Sequence, residues 1–192
     1  MLVSGLVSLA LALIIVVYGI VIYNGLISLK HAVSKHYANI EVLLKQRHDE
    51  LPKLVDTCRQ YMSYERATLE QVIRARNQVA EARSAQDMRG LGKAEAHLRR
   101  GLGQLFALAE QYPLLKASES FQALQARISD LENAIADRRE VYNEAVNNNN
   151  VRVEQFPDLL VARLFGFGEL DLLEFSEAAT RDVNVSALFS GA

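Results

Sequence analysis

The chain has one cysteine, three prolines and no tryptophan among its 192 residues. A single thiol, Cys58, excludes an intrachain disulfide framework. With few prolines and an abundance of Ala, Leu, Glu, Gln and Arg, the composition favours long helices. No apolar/polar alternation of useful length occurs, which argues against a sheet-based domain. Neither sign of charge prevails: 21 Lys and Arg stand against 23 Asp and Glu, a formal net charge of -2. That balance argues against nucleic acid as a partner, because such proteins present a basic face. From Leu2 to Ile22 charge is missing altogether.

This uncharged run predicts a membrane span. As a helix it would be roughly 31 Å long at about 1.5 Å per residue, close to the ~30 Å of a bilayer's hydrocarbon core. Ser4, Gly5, Ser8 and Gly19 are tolerated there because a helix satisfies its own backbone. Tyr23 follows at the exit, where aromatic residues favour the interface. A cleaved signal peptide fits poorly. No basic residue precedes the run, no small-x-small site follows it, and Ala10 and Ala12 lie inside it. A retained anchor is expected. Lys30 and Lys35 flank its C-terminal side, which places the following domain in the cytoplasm and the N-terminus outside. Ser4, Ser8 and Ala12 recur every four residues, a spacing that lets two transmembrane backbones approach closely.

Amphipathic helices follow. Leu26, Leu29, Val33, Tyr37, Ile40 and Leu44 mark one helix face, and Asp49 to Pro52 reads as an interruption with Asp49 as a cap. A second face carries Leu54, Cys58, Tyr61, Leu69, Val72 and Val79, and Asp87 to Gly92 breaks it, with Gly90 and Gly92 as turn signals. Leu98, Leu102, Leu105 and Ala109 mark a third, stopped by Pro113. The fourth has a heptad seam of coiled-coil type: Phe121, Leu124, Ile128, Leu131, Ile135, Arg138, Tyr142 and Ala145. The expected fold is all-α, an N-terminal transmembrane helix continuing into an elongated antiparallel helical bundle. Its divisions are residues 1–23 for the anchor, 24–157 for the bundle and 158–192 for an apolar, acidic tail.

Sites for chemistry are sparse. None of His31, His36, His48 and His97 has a Glu three residues before it, so the di-iron pattern of helical bundles is missing. The glycines form no phosphate-binding loop. Cys58 lies on an apolar stripe as a small core residue. No catalytic residue, metal or cofactor is expected. What does stand out is charge within the seams. Arg47, Glu65, Arg76, Glu132, Arg138, Arg139 and Asn143 form a polar stripe, read as a buried network that fixes helix register. A ligand or ion site on the same stripe is the alternative. In the tail, Phe165, Phe167, Leu172, Leu173 and Phe175 are too many large apolar groups to leave in water. They cover either the same bundle or a neighbouring subunit.

Several blocks together are recognisable. They are Tyr23-Asn24-Gly25-Leu26 at the exit, Arg47-His48-Asp49-Glu50-Leu51-Pro52-Lys53-Leu54-Val55, and Tyr112-Pro113-Leu114-Leu115-Lys116-Ala117. Glu132-Asn133 with Arg139 and Tyr142-Asn143, then Phe156-Pro157 and Phe165-Gly166-Phe167, complete the set. In this order the chain resembles the LemA family of bacterial membrane-anchored proteins. Tyr64, Ser118 and Asn149-Asn150 depart from the usual pattern. The resemblance implies a helical bundle on a single span of the inner membrane and supplies no reaction. The expected function is a non-enzymatic scaffold or adaptor of the cell envelope that forms homo-oligomers and engages other envelope proteins. A ligand or ion sensor is the runner-up.

Overall fold

The computed structural model describes residues 2–174. Among them all regular structure is helical, with no strand: α1 (Leu2–Arg59), α2 (Arg66–Ser84), α3 (Met88–Ala109), α4 (Pro113–Lys116), α5 (Glu119–Glu154) and α6 (Asp158–Phe165). This is the all-α bundle expected, with a long apolar helix at its N-terminus. The chain divides into two compact units. Among the described residues, one holds those up to Lys45 and Leu131–Leu172; the other holds Gln46–Asp130 with Leu173 and Glu174.

In the first unit, α1 changes character along its length. Its large apolar residues from Leu2 to Val21 are all exposed. This is the helix, among the described residues, long and apolar enough to cross a membrane. From Ile22 onward a stripe is buried: Ile22, Leu26, Val33, Ile40 and Leu44. Helix α5 supplies the opposing surface. Ile22 and Leu26 cluster with Val153, whereas the Tyr37 ring lies 5.9 Å from that of Tyr142, so the two helices run antiparallel. Ala162 of α6 joins the Ile22 cluster, with Val161 and Phe167 packed against it.

The seam of α5 differs from the strict heptad in one respect. Phe121, Ile128, Leu131 and Ile135 are buried, Arg138 is exposed, and the stripe resumes at Tyr142, Val146, Asn149 and Val153. A straight helix drifts by about 20° per heptad relative to a 3.5-residue repeat. The buried line therefore slides one position, from Ala145 to Val146, and Arg139 rather than Arg138 becomes half-buried.

In the second unit, the break expected at Asp49–Pro52 does not form, and the one expected at Asp87–Gly92 lies at its N-terminal edge. Helix α1 continues through Asp49 and Pro52 to Arg59. Helix α3 begins at Met88 and runs through Gly90 and Gly92, which are helical and not turn residues. The actual turn is made by Gln86, at φ +53°, and by Asp87, whose carboxylate accepts from the Gly90 amide at 2.9 Å as an N-cap. Asp87, a strong capping residue, carried this signal more directly than the glycines.

Candidate functional site

The buried polar groups of the second unit serve the helices themselves. Arg47 of α1 and Glu95 of α3 form an ion pair, with side chains only 3% and 4% exposed. Glu95 lies between Leu91 and Leu98 on the buried face of α3, so its position was legible as an acid on an apolar stripe. The sequence offered no way to choose it as the partner of Arg47 from a distance of 48 residues. Arg76 has a different task. Pro52 has no N–H, so the helical bond from residue 52 to the His48 carbonyl cannot form. The Arg76 Nε–H donates to that carbonyl at 2.9 Å. A buried carbonyl needs a partner, and this one comes from α2. Proline is therefore accommodated within α1, and the expected break does not occur. Burial, then the nearby Arg76 charge, holds His48 below its usual pKa. Glu65, half-buried just ahead of α2, accepts from the Tyr112 hydroxyl at 3.2 Å. Burial and that bond push the Tyr112 hydroxyl up.

The other stripe residues lie on α5 in the first unit. Glu132, Arg139 and Asn143 are half-buried and Arg138 is exposed. Further along α5, Asn149 and Asn150 have a task that the sequence did not show, although Asn150 lies seven residues beyond Asn143 on the same polar stripe. They hold the segment after α6. Gly166, at φ +73°, ends that helix in a left-handed cap, and the Phe167 amide turns back to the Ala162 carbonyl at 2.9 Å. Between Gly168 and Glu174 the chain has no helix or strand to satisfy its backbone. The Asn149 amide donates to the Gly168 carbonyl at 3.2 Å. Asn150 both donates to the Leu170 carbonyl and accepts from the Leu170 amide, each at 2.9 Å. The Tyr142 hydroxyl donates to the Asp171 carbonyl at 3.1 Å. A carboxamide carries both donor and acceptor, as required to replace a strand neighbour. Burial pushes the Tyr142 hydroxyl up to about 12.

In the second unit the segment ends against α3. Leu173 is buried, and a Cβ placed on Gly92 would lie 1.9 Å from the Glu174 carbonyl oxygen. Only glycine allows that backbone approach. Of the apolar tail residues, Leu173 is thus buried, Phe167 and Leu172 are half-buried, Phe165 is exposed, and Phe175 lies outside the described residues.

The remaining candidates are quickly placed. Ser4, Ser8 and Ala12 are exposed along one face of α1, and the Ser8 hydroxyl donates to the Ser4 carbonyl at 2.9 Å. Cys58 is fully buried, which pushes its thiol up to about 11. A groove of about 300 Å³ between α2 and α3 is lined by Gln71, Arg74, Gln78, His97 and Arg100 among others. Among the described residues no three His, Cys, Asp or Glu side chains gather into a metal-binding cluster.

A family model described as the LemA family matches residues 36–187. The chain belongs to the LemA family. Similar curated proteins are magnetosome proteins MamQ 1 and MamQ 2 of Paramagnetospirillum magneticum. Each is 22% identical, over 87% of this chain and 70% of its own length. Magnetosome protein MamQ of Magnetospirillum gryphiswaldense is 20% identical over the same shares. Neither the family description nor these names specifies a reaction. In this LemA-family chain the Arg47–Val55 block is the stretch of α1 that carries both the buried arginine and the bridged proline. The Phe165-Gly166-Phe167 block is the left-handed cap of α6 and the two rings beside Tyr23, with centroids at 4.8 and 5.7 Å.

Proposed function

We propose that this LemA-family chain is a single-span protein of the bacterial inner membrane that holds other proteins together and performs no catalysis. The observation that carries this reading is the exposed first part of α1. Some twenty consecutive apolar residues have no protein packed against them. Each large apolar side chain left in water forgoes about 1.5–3 kcal/mol of burial, so this stretch needs a lipid surrounding. Residues 1–23 are the anchor, 24–157 the bundle, and 158–192 a tail. The polar side chains inside the bundle support assembly over chemistry, because they bond to one another and to backbone. Lys30 and Lys35 orient the bundle toward the cytoplasm with the N-terminus outside.

The span also brings copies together through Ser4, Ser8 and Ala12. The Ser8 hydroxyl is already bonded within its own helix, so that face is small and not polar. Crosslinking from the bundle in native membranes tests the scaffold reading: recovery of defined partner proteins and of a second copy is expected. A reporter fused after Ala192 tests orientation, with periplasmic phosphatase activity reversing it. The sensor reading keeps one observation in its favour. Glu132, Arg139 and Asn143 lie half-buried along one side of α5. A ligand in stoichiometric amount with the purified protein, found by mass spectrometry, would favour it.

A further inference from the structure

Helix α6 has two unlike faces. Asp158 and Ala162 are buried, and Val161 packs with Phe167 on Ile22 and Leu26 of α1. On the other side Leu160 and Leu164, one helical turn apart, are 60% and 78% exposed. Phe156, four residues before Leu160, is 80% exposed and Phe165 is 57% exposed. Soluble surfaces rarely leave such a group of large apolar side chains wet unless something covers it.

The position of this face indicates what covers it. The Phe165 ring lies 4.8 Å from the Tyr23 ring, at the end of the uncharged run of α1. One and two turns before Tyr23 on the same side of α1, Ile20 and Val16 are exposed. The apolar surface therefore continues from the side of α1 onto α6 at the level where the span leaves the bilayer. Charge agrees. Arg163 of α6 and Lys30 of α1 are exposed, while Asp158, the only acid in α6, is paired with Arg152. The other acidic residues of the tail begin at Glu169, on the segment that Asn150 holds against α5.

We propose that α6 is a membrane-surface foot: it rests on the bilayer beside the span, with Phe156, Leu160, Leu164 and Phe165 at the boundary of headgroups and acyl chains and Arg163 among anionic headgroups. The proposal rests on the reading that residues 2–22 span the bilayer. Lipid is the occupant because the face adjoins the lipid-facing side of α1. The foot fixes the height and tilt of the first unit over the membrane, which a single span would leave free.

The absence of tryptophan makes a direct test available. Leu164→Trp, Ile14→Trp and Leu114→Trp are made singly in the full chain, all at exposed positions. Each is reconstituted in phosphatidylcholine–phosphatidylglycerol vesicles whose acyl chains carry bromine either near the headgroup or near the bilayer centre. Leu164→Trp should emit to the blue and lose most of its emission to the shallow bromines. Ile14→Trp should be quenched by the deep ones, and Leu114→Trp by neither. If Ile14→Trp is quenched while Leu164→Trp emits like Leu114→Trp, α6 is in water and the foot is overturned with the span intact. Blue but unquenched emission from Leu164→Trp would mean that a second copy covers the face, which also overturns it. An unquenched Ile14→Trp would remove the span and the foot together.

Discussion

The two parts of α1 fold into one continuous helix, yet only one is packed by protein. Residues 2–21 are uncharged, with large apolar side chains exposed on every side. Residues 22–58 are apolar on one stripe and buried along it. Periodicity is the difference. A stripe matches another helix, whereas a uniform apolar surface matches a uniform apolar solvent. The lower part must therefore draw its stability from named side-chain partners, and the upper part from its surroundings.

Breaking a buried ion pair gives the largest expected effect. Arg47→Met leaves the Glu95 carboxylate buried without its cation and should cost about 3–5 kcal/mol, read from denaturation of the detergent-solubilised protein. Adding Glu95→Leu should recover most of the loss, since apolar replacement of both partners is often neutral.

Truncating apolar side chains sharpens the comparison within one chemistry. Leu26→Ala in the lower part should cost about 2–5 kcal/mol by leaving a cavity. Ile14→Ala in the upper part should leave the bundle's denaturation curve unchanged. Equal effects at the two positions would mean that the upper part is packed by protein after all.

A smaller effect belongs to the bridged proline. Arg76→Met removes the donor to the His48 carbonyl and should cost about 1.5–3 kcal/mol, the range for hydrogen bonds from charged groups. In a Pro52→Ala background the missing amide returns and the same substitution should cost much less. A penalty that is the same in both backgrounds would show that Arg76 does not compensate for the proline.

The smallest effect is a pH dependence. His48 is held below its ordinary value of 6.5. Between its folded value and 6.5 the unfolded chain binds the additional proton. Stability is therefore fully present above about 6.5 and declines as pH falls through that window. His48→Gln should flatten this part of the stability profile.

Much of this arrangement was legible in the sequence, because hydrophobic periodicity reports which face of a helix is buried. The uncharged run, the stripe from Leu26 to Leu44 and the seam from Phe121 to Ile135 are all of that kind. What was not legible depended on partners far away in the chain. Pro52 reads as a break until Arg76, 24 residues on, is seen at the orphaned carbonyl. Gly92 reads as a turn until the Glu174 carbonyl is seen against it. Asn150 reads only as a polar residue in register with Asn143, and Asn149-Asn150 as a departure from the usual family pattern, because no local pattern reveals an extended segment nineteen or twenty residues later that needs a donor and an acceptor. Sequence composition also treated everything after Pro157 as one acidic tail. The structure separates it into α6, whose exposed residues are apolar and basic, and a following segment that carries the acids.

The most direct test of the account compares two side chains that are equally open in the protein but differ in surroundings. Ile14 is 64% exposed and Val42 is 56% exposed. In a Cys58→Ser background, Ile14→Cys and Val42→Cys are made singly and treated in native membranes with a water-soluble maleimide. The account predicts rapid labelling at position 42 and almost none at position 14 until detergent or denaturant removes the lipid. Equal labelling in intact membranes would contradict it, because the upper part of α1 would then lie in water.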